Sequence, residues 1–265
     1  MKVGIIGYGW VGRAMKQLLH TTYVYDPSFK TYTDEYGQEV HVVGKEAINS
    51  CDIAFISVPT PCLDEGRLDT SIVEDIIKWC ECPLIVLRST VNPGDSDRWA
   101  KLYGKNIVVQ PEYLGESPAH PMLDMKQRGF MIIGGKRKDT KKLIDLYTTV
   151  YNANISIRQV TRLEAEVIKV SENRAIFYKV MQCQELYDVC ELAGVDYYTV
   201  RDAVYGDDPR MTLWFTFVYP DKRGANSKCI PKDVYAWAAW AESLGYQPII
   251  TRTMLERNKE WVNIN

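Results

Sequence analysis

The first half of the chain alternates between short apolar runs and stretches in which apolar residues recur at helical spacing. The apolar runs are bounded by turn residues and predict buried strands, whereas the helical spacing predicts amphipathic helices. Predicted strands cover residues 2–6, 23–25, 52–58, 83–87, 106–109, 130–135 and 155–158. Predicted helices cover residues 13–19, 45–50, 69–80, 95–103 and 141–151, and a small hairpin is expected within 27–44. Strands that alternate with helices predict an α/β fold with a doubly wound parallel sheet.

The second half is predicted to be mainly α-helical. Thr161 is a suitable N-cap for a long central helix over 162–193, which Gly194 ends. Shorter predicted helices lie at 201–204, 233–244 and 251–261. We therefore expect two domains, one over 1–158 and one over 159–265. A helix as long as the central one is unusual in a monomeric domain, and it favours a homodimer formed through that helix.

A glycine-rich sequence stands between the first predicted strand and the first predicted helix. Gly7-Tyr8-Gly9-Trp10-Val11-Gly12 has the spacing G-x-G-x-x-G, in which the glycines allow a tight turn, close approach of a pyrophosphate and close packing of helix on strand. Asp26 ends the second strand, at the position that accepts hydrogen bonds from adenosine ribose hydroxyls. Together these features predict a Rossmann dinucleotide-binding domain. The charge of Asp26 repels a 2′-phosphate and so favours NAD over NADP. A glycine-rich turn in another kind of α/β protein is the alternative.

The loops that leave later strands are predicted to reach the same cofactor, because ligands bind at the carboxyl ends of parallel strands. Pro59 and Thr60 follow the strand at 52–58 and are candidate cofactor contacts. A plain turn role for Thr60 fits the spacing equally well.

Composition narrows the classes of function. The 265 residues are 46% hydrophobic and 25% charged, as is typical of a soluble globular protein. A net charge of −2 gives no reason to expect a nucleic acid or a membrane surface as partner, and no apolar run has the length of a membrane span. The N-terminus lacks the features of a signal peptide. Seven cysteines form no CxxC pair, so we expect a reduced, cytoplasmic protein. Because the chain has only three histidines, we expect no metal site.

One polar stretch of the second half has the composition of a reactive site. Pro231 is predicted at the first position of a helix, which places Cys229 just before the helix N-terminus with Lys228 and Lys232 beside it. Both the helix and the lysines stabilise a thiolate and lower the pKa of the thiol. Asp233 lies four residues on, near enough to position a water or a hydroxyl. The alternative is that Cys229 is a small buried hydrophobic residue.

The chain resembles the UDP-glucose/GDP-mannose dehydrogenase family. Each motif that carries this resemblance is weak alone, but they occur in order along nearly the whole chain. They are the glycine motif, Val58-Pro59-Thr60-Pro61 with Asp69, Ser89-Thr90-Val91-Asn92-Pro93-Gly94, Pro111-Glu112-Tyr113-Leu114-Gly115-Glu116, Glu166-Val167-Ile168-Lys169 with Asn173, Asp208-Pro209-Arg210, and Cys229-Ile230-Pro231-Lys232-Asp233.

The resemblance implies an NAD-dependent oxidation of a nucleotide-sugar primary alcohol to the carboxylate, with two successive hydride transfers. It implies that Cys229 is the nucleophile, which forms a thiohemiacetal and then a thioester that water hydrolyses. Lys169 is implied to stabilise the developing oxyanion. Asp233 and Asn173 are implied to orient water and hydroxyls.

Further site residues follow from the same resemblance. Thr90, Glu112 and Glu116 match loop positions that serve proton transfer, water and contacts to the cofactor or substrate, and Thr90 and Glu116 join the predicted cofactor set. The predicted substrate contacts are Lys169, Asn173, Arg210, Lys228 and Lys232. Alternatives remain open, because Glu112 and Glu116 also suit loop caps or ion pairs. Lys169 and Asn173, four residues apart, also suit a solvated helix face.

Two departures from the family pattern are evident. The C-terminal domain that holds the nucleotide in the family is expected to be absent. Asn226, Ser227 and Lys228 replace a glycine-rich loop, which predicts a reshaped sugar pocket with Lys228 as a phosphate ligand. Two other functions stay open: a single oxidation of the β-hydroxyacid dehydrogenase type, against which the Cys229 motif argues, and an inactive NAD-binding protein.

Overall fold

The fold is described from a computed structural model, which describes residues 1–33, 37, 39–114, 129–151 and 155–263. The chain divides into two compact units. The first comprises residues 1–61 and 68–169, and the second comprises residues 62–67 and 170–265. The predicted boundary at 158/159 stays a prediction, and each unit is described by itself.

A seven-stranded sheet forms the centre of the first unit. Its strands stand in the order β2-β1-β5-β6-β7-β8-β9. Their bounds are β1 Val3–Ile6, β2 Tyr23–Tyr25, β5 Ile53–Ile56, β6 Leu84–Leu87, β7 Ile107–Val109, β8 Phe130–Gly134 and β9 Ser156–Val160. The expected hairpin is present as an antiparallel pair, β3 Thr31–Thr33 and β4 Glu39–His41. The predicted α/β class with a doubly wound sheet is confirmed.

The direction of the last two strands differs from the prediction of a wholly parallel sheet. Strands β2, β1, β5, β6 and β7 are parallel to one another. Strand β8 pairs with β7 in the antiparallel sense, whereas β8 and β9 are parallel to each other. The sheet is therefore mixed, because buried apolar runs look the same in the sequence whichever way the strand points.

Five helices described in the first unit cover the two faces of this sheet. They are α1 Trp10–Leu19, α2 Lys45–Asn49, α3 Ser71–Trp79, α4 Asp95–Leu102 and α5 Arg137–Tyr147. Successive strand residues point to opposite faces, so that Ile56 packs with α2, α3 and α4 while Phe55 packs with α1 and α5. This burial of both faces explains why the strands have no polar alternation.

The long helix has the bounds that the sequence predicts. Helix α6 runs from Arg162 to Ala193, and Gly194 follows it with φ +68°. At its start, the Thr161 hydroxyl accepts the Glu164 N–H (3.2 Å), and the Glu164 carboxylate accepts the Thr161 N–H (2.7 Å). This reciprocal capping box satisfies backbone donors that the first turn leaves without helical partners.

The second unit is mainly helical in its described residues, with an irregular stretch over 206–229. It contains most of α6 together with α7 Tyr197–Tyr205, α8 Ile230–Ser243 and α9 Ile249–Val262. One cluster of buried side chains joins α6, α8 and α9 around Phe177 and Trp261, and another joins α6 and α7 around Tyr197. None of the helices in the described ranges is both long and apolar enough to cross a membrane.

Candidate functional site

The glycine turn between β1 and α1 depends on the absence of side chains at two positions. Gly7 has φ +92°, and a Cβ there would lie 2.5 Å from the Ser57 carbonyl oxygen. A Cβ on Gly12 would fall on the Gly7 carbonyl oxygen, far inside contact distance. Gly9 is different, since nothing lies within 4 Å of the place its Cβ would take. The space over Gly9 is thus left open beside the N-terminus of α1, as a dinucleotide pyrophosphate requires.

Asp26 is tied to this turn. Its carboxylate accepts the Tyr8 N–H (2.7 Å) and the Ser28 N–H (2.8 Å). Trp10 is the first residue of α1 and is half exposed, and Val11 beside it is partly buried. The predicted cofactor residues of the turn and the predicted ribose acceptor are therefore neighbours, and this donor and acceptor set fits NAD.

We expect Asp26→Asn to raise the Kd for NAD about tenfold, because the amide accepts ribose hydroxyls less well than a charged carboxylate. The preference for NAD over NADP should shrink as well, since the repulsion of a 2′-phosphate is gone. Calorimetric titration of both cofactors measures both effects. Asp52→Asn, at an exposed aspartate, is the control. Unchanged discrimination between NAD and NADP in Asp26→Asn would contradict the ribose assignment.

The loops after β5 and β6 are joined by side-chain hydrogen bonds. The buried Thr60 hydroxyl donates to the Thr90 carbonyl oxygen (2.7 Å). The Ser89 hydroxyl accepts the Val58 N–H (2.9 Å) and donates to the Val58 carbonyl oxygen (2.7 Å). Pro59 is exposed between these contacts. Thr60 and Thr90 therefore lie together, and Thr60 holds the loop that carries Thr90.

Glu112 is buried at the end of β7 and forms an ion pair with the buried Arg88 at the end of β6. One of its oxygens also accepts the Tyr113 and Leu114 N–H groups, each at 2.7 Å. Glu112 thus makes both the loop-capping and the ion-pair contacts that the sequence left open as its alternative roles. A role of Glu112 in proton transfer stays a prediction. Glu116 lies outside the described residues.

Lys169 stands at the end of the first unit, and its ammonium lies 4.9 Å from the centre of the Tyr113 ring. A cation at this distance from an aromatic face is attracted by the ring quadrupole, which restrains the lysine side chain. Sequence reasoning did not single out Arg88 or Tyr113. The sequence did contain a signal for Arg88, because a charged residue directly after the apolar run of β6 indicates a functional or paired position at the end of the strand.

In the second unit, the first turn of α8 carries a buried polar cluster. The Asp233 carboxylate is 1% exposed and accepts the Asn173 side-chain amide (2.6 Å) on one oxygen. On the other oxygen it accepts the Lys232 ammonium (2.6 Å). The structure thus brings three predicted site residues together and ties α6 to α8.

Cys229 is the N-cap residue of α8 and is exposed. The prediction that it precedes a helix N-terminus is confirmed, and the alternative of a buried hydrophobic cysteine is wrong. The helix begins at Ile230, which is three residues before the predicted range of 233–244 and one residue before the first position predicted for Pro231. Pro231 is therefore its second residue. Ser227 supports this start by accepting the Ile230 N–H (3.2 Å), and Lys228 is exposed.

The segment that leads to Cys229 is anchored inside the second unit. The Arg223 guanidinium donates to the Gln184 side chain (2.7 Å), and the Asn258 side-chain oxygen accepts the Ala225 N–H (2.7 Å). Gly224 has φ +73°, and a Cβ there would lie 2.8 Å from the same Asn258 oxygen. These anchors set the path of the loop that replaces the family's glycine-rich sequence.

The remaining predicted substrate contact, Arg210, is exposed and pairs with Asp208 through its guanidinium (2.6 Å). No disulfide joins any two of the seven cysteines, all of which lie in the described part of the chain. Over the same residues, no group of three or more metal-ligating side chains is assembled.

Comparison with known proteins places these features in a family context. Residues 20–153 match the model of the UDP-glucose/GDP-mannose dehydrogenase family, NAD binding domain, and residues 163–260 match its central domain. The chain is 28% identical to the UDP-glucose 6-dehydrogenase of Pseudomonas aeruginosa over 80% of this chain and 49% of that one. It is 24% identical to the enzyme of the same name from Rickettsia typhi over 98% of this chain and 67% of that one.

Solved structures share the fold. A UDP-glucose dehydrogenase from Pyrobaculum islandicum superposes with a TM-score of 0.81 at 24% identity, over 98% of this chain and 68% of that one. A GDP-mannose dehydrogenase from Pseudomonas aeruginosa superposes with a TM-score of 0.67 at 23% identity, over 98% and 69%. The chain spans between about half and two thirds of the length of the two curated relatives described above.

Proposed function

The chain belongs to the UDP-glucose/GDP-mannose dehydrogenase family, and from this premise we propose that it oxidises the primary alcohol of a nucleotide sugar to the carboxylate in two NAD-dependent steps. The observation that carries the proposal is the first turn of α8. There an exposed cysteine occupies the N-cap position, and the buried Asp233 is hydrogen-bonded to Asn173 on α6. A binding protein without catalysis has no need for a thiol in this setting.

NAD is the cofactor of this domain family, and when bound it accepts a hydride from the carbon that is oxidised. In the proposed reaction the chain's own residues hold it. The backbone at Gly9 and the N-terminus of α1 face the pyrophosphate, and Asp26 accepts the ribose hydroxyls. Pro59, Thr60 and Thr90 lie in loops at the carboxyl ends of β5 and β6, the edge of the sheet at which the reactive end of a dinucleotide binds in this fold. Glu116 is proposed as a further cofactor contact from the resemblance alone.

Cys229 is the proposed nucleophile. Its thiolate attacks the carbonyl carbon of the aldehyde formed in the first oxidation, and the adduct is a thiohemiacetal. Oxidation of that adduct gives a thioester, and attack by water releases the carboxylate and returns the thiol. The helix N-terminus favours the thiolate because the aligned peptide dipoles of α8 leave partial positive charge at this end.

The other residues have supporting parts in this proposal. Lys169 stabilises the oxyanion that develops when the thiolate or water adds to the carbonyl. Asn173 and Asp233 orient the water, and Thr90, Glu112 and Glu116 serve proton transfer and contacts. Arg210, Lys228 and Lys232 supply positive charge for the phosphates of the nucleotide sugar, a role that suits the exposed Lys228 and Arg210.

The proposal is tested by counting NADH formed per molecule of nucleotide sugar consumed, with UDP-glucose as the first substrate of a panel. We expect two. A count of one contradicts the double oxidation and supports an enzyme of the β-hydroxyacid dehydrogenase type. No NADH with any sugar nucleotide, while NAD still binds, contradicts catalysis and leaves an NAD-binding protein.

Assembly and location complete the proposal. We propose a homodimer through α6, which is supported by its length and by exposed apolar residues near its end, Val189 and Leu192. Light scattering at micromolar concentration should give twice the chain mass. A cytoplasmic location is proposed because the seven cysteines form no disulfide in the described residues.

A further inference from the structure

A buried carboxylate on α6 caps the N-terminus of a different helix. Glu166 is 3% exposed. One of its carboxylate oxygens accepts the Gly94 N–H (2.7 Å), and the other accepts the Ser96 N–H (3.0 Å). Gly94 is the N-cap residue of α4 and, as a glycine, has no side chain that could cap the helix. Glu166 therefore satisfies two of the backbone donors that α4 leaves unpaired, and its negative charge lies at the positive end of the helix dipole.

The same side chain borders the residues to which we assign chemistry. Glu166, Thr90 and Lys169 line one small cavity of about 10 Å³ at the ends of β6 and β7, with Pro111 on its wall. That volume is at the lower limit for a single water molecule. Lys169 follows Glu166 by three residues on α6, so that both project from one side of the helix. Thr90 stands in the loop that ends at Gly94.

We propose that Glu166 is a positioning residue: its carboxylate holds the 89–94 loop, with Thr90, in place against the lysine-bearing turn of α6. The inference rests on the proposed function for the roles of Thr90 and Lys169. We call the hold of Glu166 on this loop the clamp. The clamp rests on the two hydrogen bonds that the Glu166 carboxylate accepts from the Gly94 and Ser96 N–H groups. Arg162 and Gly134 strengthen the same junction. Arg162 pairs with Asp97 of α4, and the missing side chain of Gly134 admits the first turn of α6, since a Cβ there would lie 2.5 Å from the Ala165 Cβ.

The clamp needs the charged form of Glu166. A carboxylate accepts both N–H groups, whereas a carboxylic acid presents a hydroxyl donor to one of them. Burial raises the pKa of Glu166 to about 7, and the nearby Asp95 on α4 acts in the same direction. Hydrogen bonds from Ser96 and Gly94 oppose the shift. Lys169, also on α6, borders the same small cavity as Glu166. Because the folded-state pKa is raised, protonation occurs as the pH falls through neutrality, and the clamp opens on the acid side.

The first test follows exchange of the Gly94 and Ser96 amide hydrogens in the wild-type chain between pH 8 and pH 6, corrected for the intrinsic pH dependence of exchange. We expect their protection to fall about tenfold on the acid side, the size expected for the loss of a hydrogen bond to a charged acceptor. In Glu166→Gln protection should be low and independent of pH. Glu164→Gln is the matched control on the same helix, since glutamine preserves the capping box with Thr161. It should behave as wild type.

The second test uses a readout that a purely structural cap would not move. With ¹³C-labelled lysine, the ε-carbon resonance of Lys169 should show a titration step near pH 7 in wild type and in Glu164→Gln, and none in Glu166→Gln. A flat wild-type profile in both experiments overturns the inference, and so does a step that persists in Glu166→Gln. Neither readout depends on catalysis. A failure to form NADH would therefore contradict the proposed function without deciding on the clamp, which is tested by the amide exchange and the Lys169 resonance.

Discussion

Replacing Cys229 with serine is expected to lower acid formation at least about 1000-fold while NAD still binds. A serine hydroxyl is almost entirely protonated at neutral pH, so the helix N-terminus that stabilises a thiolate gains little at serine. Loss of the nucleophile in enzymes that use covalent intermediates costs rate factors of this size or larger. The reaction should stop at the aldehyde stage, with no more than one NADH formed per sugar. Trapping the aldehyde with a hydrazine reagent and counting NADH measure this directly.

The matched control for this experiment is Cys62→Ser. Cys62 is the other exposed cysteine of the second unit, so its replacement removes one accessible thiol and leaves Cys229 in place as the N-cap residue of α8. It should leave two NADH per sugar. Continued formation of the acid by Cys229→Ser at a rate near that of wild type would refute the assignment of the nucleophile. Equal losses in both variants would point to a general effect of losing a thiol.

Alanine at Gly12 is expected to abolish measurable NAD binding and to lower the free energy of unfolding by about 1–3 kcal/mol, the usual cost of forcing extra volume into a packed site. The new methyl group would fall on the Gly7 carbonyl oxygen, so either α1 or the turn must move. The turn also supplies the Tyr8 N–H that holds Asp26. Displacement of α1 therefore disturbs the pyrophosphate and ribose contacts together. Thermal unfolding and calorimetric titration with NAD measure the two effects.

Gly9→Ala separates the two effects, because its methyl group enters open space. We expect unchanged unfolding together with at least tenfold weaker NAD binding, since that space belongs to the pyrophosphate. Gly129→Ala is the control for glycine replacement, because its new Cβ also meets nothing within 4 Å and lies away from the turn in sequence. If Gly9→Ala binds NAD as tightly as Gly129→Ala, the cofactor does not pass over the glycine turn.

Short-range patterns accounted for the elements and for much of the site. The capping box at Thr161 and the left-handed Gly194 mark the two ends of α6, and both are local features of the backbone. The glycine turn and its acid are likewise a single βαβ segment, so their spacing predicts their meeting. The position of Cys229 at a helix N-terminus followed from Pro231, a residue common in the first turn of helices.

Pairings between distant parts of the chain were not predictable in the same way. The ion pair of Arg88 with Glu112 joins the ends of two adjacent strands, and the clamp of Glu166 joins α6 to α4. A single polar residue in an apolar stretch shows that some partner is needed, since an unpaired buried charge is costly. It does not show which of several candidate groups will be close.

By itself, the sequence determined the α/β class, the glycine turn with Asp26, the long helix and the cysteine at the start of α8. These depend on interactions within a few residues or on a short unit of strand, helix and strand. Only the tertiary structure decided that β8 runs antiparallel to β7, that Glu112 is bound by Arg88 and that Glu166 caps α4. The physical reason is that burial and hydrogen bonding are satisfied by contacts between segments far apart in the chain, and local periodicity is the same whichever segments meet.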